Sequence, residues 1–260
     1  MAASLAGPLA KLARAYEHLE ALDQEVMVWF ETEPYEVVGE FDSQASEYVF
    51  SIHIEAEPPD RLGLIVGDFA QNLRSALDHL VWQLAILNGK RPNREVRFPV
   101  YRTASEVRGD VEKRLGRLRA DHRAAIERLQ PHHAGDQAED HGLAILAWLS
   151  NTDKHRVIHP TFGFLMPPPW PELGFAFNDD AGSQLGALER TRIANGRRIE
   201  EGAELARVGL SPTGPDPKVQ MHGHPVFEVA FGDRWLRATR LKALYKLVEG
   251  FTRQFAPDFP

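Results

Sequence analysis

The stretch from Pro59 to Asn88, PDRLGLIVGDFAQNLRSALDHLVWQLAILN, constrains this chain more than any other. Leu62, Val66, Phe69, Leu73, Leu77, Leu80, Leu84 and Leu87 recur at spacings of three and four, the pattern of one buried helix face. Asp60 stands at the N-cap position, just after Pro58 and Pro59, and Asn88-Gly89 supplies the stop. A helix of about 28 residues, at 1.5 Å per residue, is a rod of roughly 40 Å. Whatever else the chain forms must pack around it.

The polar residues of this helix fall into two groups. At about 100° per residue, Asp68, Asn72, Ser75 and His79 share a second face, flanked by Leu64, Trp82 and Ile86. Short polar side chains among Leu and Trp predict a buried or half-buried seam, costly unless each group is hydrogen-bonded. Arg74 and Asp78 lie four apart on a third side, where they can pair, and Gly63 and Gly67 near that side would admit another backbone. The expected partner is Leu143 to Arg156, LAILAWLSNTDKHR, a second apolar helix ending in Asn151, Asp153, Lys154 and His155.

The remaining pattern predicts an α+β fold. Leu5 to Phe30 reads as a first helix, with Leu5, Leu9, Leu12, Tyr16, Leu19, Val26 and Phe30 in its stripe. Glu36 to Glu40 and Glu47 to Glu55 alternate as strands around Asp42-Ser43, a β-hairpin. Asp121 to Leu129 reads as a short helix, and the next runs from about Glu139 to Lys154. After Arg156 come VIHPTFGFLM, LGFAFN, AELARVGL, PKVQMH and PVFEVAF, all suited to strands. They are separated by breaks at Pro167 to Pro171, Asn178 to Asp180, Asn195-Gly196 and Ser211 to Pro217. Trp235 to Phe255 is a closing amphipathic helix. The expected organisation is a helical core over 1–157, antiparallel helices with a hairpin at about 35–56. An antiparallel β-region over 158–260, closed by the final helix, would pack on that core.

Composition excludes several chemistries. The chain of 260 residues has no cysteine, hence no disulfide framework, thiolate metal site or Cys nucleophile. No basic start leads into an apolar run, and no apolar run approaches membrane-spanning length, so a cytoplasmic protein without a membrane partner is expected. The net charge of −7 argues against general nucleic-acid binding, but it is unevenly spread. Lys90 to Arg128 holds twelve Lys or Arg against six Asp or Glu, a local +6 that leaves the rest of the chain at −13. Such runs usually form a solvated helix surface; the functional reading is a phosphate-binding patch. Exposed aromatics do not interleave with these cations, which weakens a role in stacking single-stranded bases.

Four blocks carry a resemblance: GDFAQNLRSALDHLVWQLA, FPVY at Phe98, IERLQP at Ile126 and LAWLSNTDKHR. Together they resemble a widespread family of uncharacterised bacterial proteins, common in actinobacteria, built on G-D-x-x-x-N-L-R-S-A-L-D-H-L and N-x-D-K-H-R. The resemblance covers roughly residues 5–160 and implies no particular activity. A looser resemblance is to HEPN domains, helical modules whose R-x(4–6)-H motif serves metal-independent ribonucleases. Arg74 and His79 satisfy its shortest form. The resemblance implies that Arg74 stabilises charge developing on phosphate, that His79 moves the proton of the attacking 2′-hydroxyl, and that a homodimer brings two motifs to one cleft. Against it, five residues on a regular helix set the two side chains about 140° apart.

Three functional readings follow. The first is a cleft between the two apolar helices, an endoribonuclease or RNA-binding site. Arg74, His79, Asn72 and Asp78 would do the chemistry, and Asp68, Asn151, Asp153, Lys154 and His155 would bind, without a cofactor. Its competitor is a hydrogen-bond network that only fixes helix register. The second is a metal site on Asp78, His79, Asp153 and His155, although neither H-E-x-x-H nor E-x-x-H occurs here. His132-His133 and His222-Gly-His224 read as turns before weak metal sites. The third is a non-enzymatic protein whose β-rich half binds a ligand or an unknown protein partner. Phe162, Phe164, Trp170, Phe175 and Phe177 would supply a pocket or, more commonly, sheet core.

Overall fold

The computed structural model describes residues 2–165, 174–178, 188–193, 199–210, 218–222 and 227–260; within these, 164–165, 174–178, 188–193, 210 and 218–222 are described by strand backbone alone. The helices are α1 (Ala6–Phe30), α2 (Arg61–Leu87), α3 (Ala104–Leu115), α4 (Ala120–Arg128), α5 (Gly142–His155) and α6 (Ala238–Arg253). The strands are β1 (Tyr35–Asp42), β2 (Glu47–Ile54), β3 (Pro160–Leu165), β4 (Gly174–Asn178), β5 (Leu188–Ile193), β6 (Glu204–Leu210), β7 (Lys218–His222), β8 (Phe227–Phe231) and β9 (Leu236–Arg237). The fold is α+β, with an N-terminal helical core and a C-terminal helix.

The periodic stripe of α2 is its buried face. Leu62, Val66, Leu73, Leu77, Leu80 and Leu84 are fully buried, and Phe69 is nearly so. At about 1.5–3 kcal/mol for each large side chain taken out of water, this stripe alone outweighs the helix's weak N-terminal cap. The N-terminus is indeed weakly capped: Asp60 has helical backbone angles and its side chain caps nothing, lying instead 3.6 Å from His159. The C-terminus is well made. Gly89 takes φ +70°, and the N–H groups of Gly89 and Lys90 reach the carbonyls of Ile86 and Ala85 at 2.8 and 3.0 Å, a Schellman stop.

The chain divides into two compact units that do not follow chain order. One comprises Met1–Glu25, Asp60–His159 and Thr239–Pro260; the other comprises Val26–Pro59 and Pro160–Ala238. The expected boundary near 157 is therefore redrawn twice. The hairpin joins the later strands, because a two-stranded ribbon has an open edge and little stability alone. Here β6 completes it, giving the antiparallel order β1-β2-β6-β5. The final helix joins the helical unit, where Leu241, Leu244, Val248 and Phe251 are buried and Leu247 meets Gly142 at the start of α5.

Within the β-unit, β3-β8-β9 and β4-β7 form two further antiparallel sheets among the described residues. Phe162 is core: it packs edge-on against Trp29, Phe30, Tyr35 and Phe227. Trp170, Gly223 and His224 lie outside the described residues, and for Phe164, Phe175, Phe177 and His222 only the strand is described. The breaks expected at Pro167 to Pro171, Asp179-Asp180, Asn195-Gly196 and Ser211 to Pro217 also lie outside them. β5, LERTRI, has no counterpart among the strands expected from the sequence; its charged residues mask the apolar alternation.

Candidate functional site

α2 presents two polar flanks. Gly67, Gln71, Arg74 and Asp78, at spacings of three and four, form one. It faces α5 and the segment 97–101. The Arg74 guanidinium, 18% exposed, donates from Nη2 to the Phe98 carbonyl at 2.9 Å and lies 3.5 Å from Asp78 Oδ1. Asp78 Oδ1 accepts the Phe98 N–H at 2.9 Å. The pair thus holds both main-chain polar groups of Phe98, whose buried ring meets Phe251. One turn earlier, Gln71 Nε2 donates to the Ser150 carbonyl at 2.9 Å and to Asp153 Oδ2 at 3.0 Å, while Ser150 Oγ donates to Gln71 Oε1 at 3.2 Å. Gly67 makes room for this staple: a β-carbon there would collide with the Asp153 carboxylate.

The other flank, Asp68, Asn72, Ser75 and His79, faces α1, which runs antiparallel to α2. The Ser4 N–H donates to Gln83 Oε1 at 3.0 Å, Lys11 Nζ to Asn72 Oδ1 at 3.3 Å, and Arg61 Nε to Glu25 Oε1 at 2.6 Å. Asn72 Nδ2 turns back to the Asp68 carbonyl at 2.8 Å. The His79 ring lies beside Gly7. The expected buried or half-buried seam is only partly formed here: Asn72 and Ser75 are half-buried. Asp68 and His79 are exposed, and flanking Leu64 and Trp82 are 56% and 39% exposed. The reason is that Ser4, just before α1, and Lys11 and Glu25 on it meet this flank with polar groups rather than apolar packing.

A cavity of about 500 Å³ opens beside the α5-facing flank, among α2, α3, α5 and the segment 97–101. Arg74, Arg97, Arg114 and Lys154 are its cations; Glu106 and Asp110 are its carboxylates. Both acids are already engaged. Glu106 Oε2 accepts the Arg102 N–H at 2.6 Å and completes the capping box with Thr103 that starts α3. Asp110 pairs with Arg114 at 2.7 Å. Arg97 and Lys154 are exposed, with no ion pair among the described residues.

Three donors of the cavity residues lack an acceptor. Arg74 Nη1, Arg114 Nη1 and Tyr101 Oη are buried without a hydrogen-bond partner. Each such group costs about 1–3 kcal/mol until an acceptor reaches it. Burial pulls the Arg74 pKa down, the Asp78 carboxylate opposes that, and Arg97 adds to it. Burial, reinforced by Asp110, Glu127 and Glu106, pushes the Tyr101 phenol well above its usual range, so it stays protonated and able to donate. The lining is suited to an anion: the exposed Arg97 and Lys154 stand in front of the more buried guanidinium groups of Arg74 and Arg114.

The sequence-derived residues are therefore split. Arg74, Asn151 and Lys154 line the cavity. Asp78 positions Phe98 behind it. Asp153 holds Gln71, and His155, the exposed last residue of α5, is not among the lining residues. Asp68, Asn72 and His79 belong to the α1 flank. Asp78, His79, Asp153 and His155 do not converge as a donor set among the described residues. Sequence reasoning missed Arg97, Tyr101 and Arg114 as site residues. Their signals were present but unconnected: Arg97 and Arg114 in the basic run, Tyr101 in the FPVY block. Compared with known proteins, the chain matches no family model, no curated protein sequence and no solved structure.

Proposed function

We propose that the helical unit is an RNA-binding module, and that its basic cavity receives a phosphate and the attached nucleotide. The observation that carries this reading is the set of four cations lining one cavity, two of which, Arg97 and Lys154, are exposed and have no ion pair among the described residues. A volume near 500 Å³ suits one nucleotide unit. Phosphate oxygens are the acceptors that an exposed guanidinium fork and an ammonium bind best. The basic run also continues past this cavity: Lys90 and Arg117 line a second concavity on the same unit, beside Glu112 and a Lys113–Glu95 pair at 3.2 Å, and give a chain of phosphates two further cations to follow.

The placement of His79 favours binding over cleavage. The HEPN-type reading needs an imidazole and a guanidinium on one phosphate, and His79 is absent from the residues lining the cavity with Arg74. Binding within one chain's cavity needs no second copy, so the homodimer implied by the HEPN resemblance is not required. RNA as ligand accords with action in the cytoplasm.

The test is fluorescence anisotropy with a labelled single-stranded RNA, for wild type and Arg97→Ala/Lys154→Ala, over a salt series in EDTA. Both side chains are exposed, so the variant keeps the fold. The expected result is a salt-dependent complex whose log–log salt slope falls by about 0.7 per lost phosphate contact in the variant, with the RNA recovered intact. No complex, or identical slopes, would overturn the reading. Cleaved RNA from wild type, but not from His79→Ala, would restore the nuclease alternative.

A further inference from the structure

The end of α4 and the 3₁₀ turns that follow, Pro131–Asp140, gather three metal-ligating side chains outside the cavity. Glu127, His132 and His133 bring one ligand atom each within 4.8 Å of one another. His132 Nε2 lies 3.0 Å from Glu127 Oε1, and His133 Nε2 lies 3.3 Å from the same oxygen. His133 Nε2 is also 3.0 Å from the Glu127 carbonyl. The two imidazoles lie close together, centroids 4.0 Å apart and planes tilted by 39°.

The backbone holds this arrangement in place. Gln130 is buried; its side chain donates to the Ile126 carbonyl at 3.0 Å and accepts the Tyr101 N–H at 2.9 Å. Pro131 then fixes the turn, and the His132 N–H donates to the Tyr101 carbonyl at 3.0 Å. Adjacent histidines on a strand would point to opposite faces. Here the turn sends both Nε2 atoms to one carboxylate.

We propose that Glu127, His132 and His133 form a binding site for a divalent transition-metal ion of the zinc class. With metal–ligand bonds of about 2.1 Å, neighbouring ligand atoms stand about 3.0 Å apart at a right angle and about 3.4 Å apart at the tetrahedral angle. The spacings of 3.0 and 3.3 Å need little adjustment to accept an ion. Two imidazoles and one carboxylate select zinc, cobalt or nickel over magnesium and calcium, which prefer all-oxygen sets. Three protein ligands leave a coordination position for water, and the site faces solvent: the side chains of His132, Glu127 and His133 are 13%, 35% and 50% exposed. Because His132 is bonded to the main chain of Tyr101, the ion also braces one wall of the phosphate cavity. The site itself does not rest on the RNA reading.

The test strips the full-length protein with EDTA, then titrates zinc against a chromogenic chelator, with cobalt as a spectroscopic probe. The expected result is one tightly held zinc per chain and a cobalt spectrum of low coordination number. His133→Ala and Glu127→Gln should each weaken zinc by at least about tenfold. Their metal-free circular dichroism and melting should match wild type, since both side chains are partly exposed. His132→Ala is the third variant; its bond to Tyr101 is made by the main chain and survives. His53→Ala, an exposed histidine of the other unit, should change nothing. Absence of stoichiometric zinc, or zinc that His133→Ala and Glu127→Gln retain, would overturn the proposal, as would zinc lost on His53→Ala.

Discussion

The two flanks of α2 carry similar residues and do different things. Towards α5, Gln71, Arg74 and Asp78 each hold a fixed partner: a main-chain group of Ser150 or Phe98. Towards α1, Asp68, Asn72 and His79 meet the polar edge of a neighbouring helix and stay wet. The difference does not lie in α2. It lies in what passes over each flank: on one side an apolar helix and an extended segment whose Phe98 main-chain groups need side-chain partners, on the other Ser4 and the polar Lys11 of α1. A polar residue on an apolar helix becomes architecture or surface according to that neighbour.

The comparison is broken most severely at Gly67. Gly67→Val puts branched carbon where the Asp153 carboxylate sits, so the carboxylate must swing aside and its bond to Gln71 must open. Overpacking of this kind, with one hydrogen bond lost, costs about 1–3 kcal/mol. The urea midpoint of the helical unit, followed by circular dichroism, should fall accordingly. If Gly67→Val is neutral, α5 is not stapled to this flank and the contrast between flanks fails.

How much of this was legible in the sequence follows from the same contrast. The apolar stripe of α2 was legible because a repeat at spacings of three and four survives any arrangement of neighbours. The pairing of Arg74 with Asp78 was legible from spacing on the one helix, whereas at Gly67 the expected backbone neighbour is instead the Asp153 carboxylate. The burial of each flank was not, because it depends on which helix crosses it. Nor was the cavity: Arg97, Tyr101 and Arg114 meet Arg74 and Lys154 only after the segment 97–115 folds back on α2 and α5. The division into units was hidden for a similar reason. Hydrogen bonds between β2 and β6 join residues about 160 positions apart, and no local pattern signals them.

A smaller effect sharpens the comparison through pH. α5 begins at an unusual cap, His141, whose Nδ1 accepts the Leu143 N–H at 3.2 Å. Only the neutral ring can accept, and burial holds the His141 pKa below its ordinary value. The unfolded chain therefore takes up this proton first as pH falls through about 6.5, so stability declines from there and levels off below the folded-state pKa. Losing a cap costs about 1 kcal/mol. His141→Asn keeps an acceptor that does not titrate; its urea midpoint should change less than wild type's between about pH 7.5 and 5.5. On the α1 flank, burial and Arg14 lower the His18 pKa while Asp68 and Glu17 oppose them, and no cap is at stake. His18→Gln should therefore remove less of the pH dependence than His141→Asn. The reverse order would mean that the α1 flank, not the start of α5, governs acid sensitivity.

The smallest expected effect lies at His79, and it bears on both stability and function. The ring is exposed beside Gly7, with nothing to position it against Arg74. His79→Ala should shift stability by no more than about 0.5 kcal/mol, as an exposed substitution does. RNA affinity and its salt slope should be unchanged, whereas Arg97→Ala/Lys154→Ala lowers both. Asn72→Ala, which frees Lys11 and the Asp68 carbonyl to water, should behave as His79→Ala does. A loss of RNA binding on His79→Ala would mean that the α1 flank is part of the binding surface. The two flanks would then work together, and the R-x-x-x-x-H spacing would regain the weight that the placement of His79 takes from it.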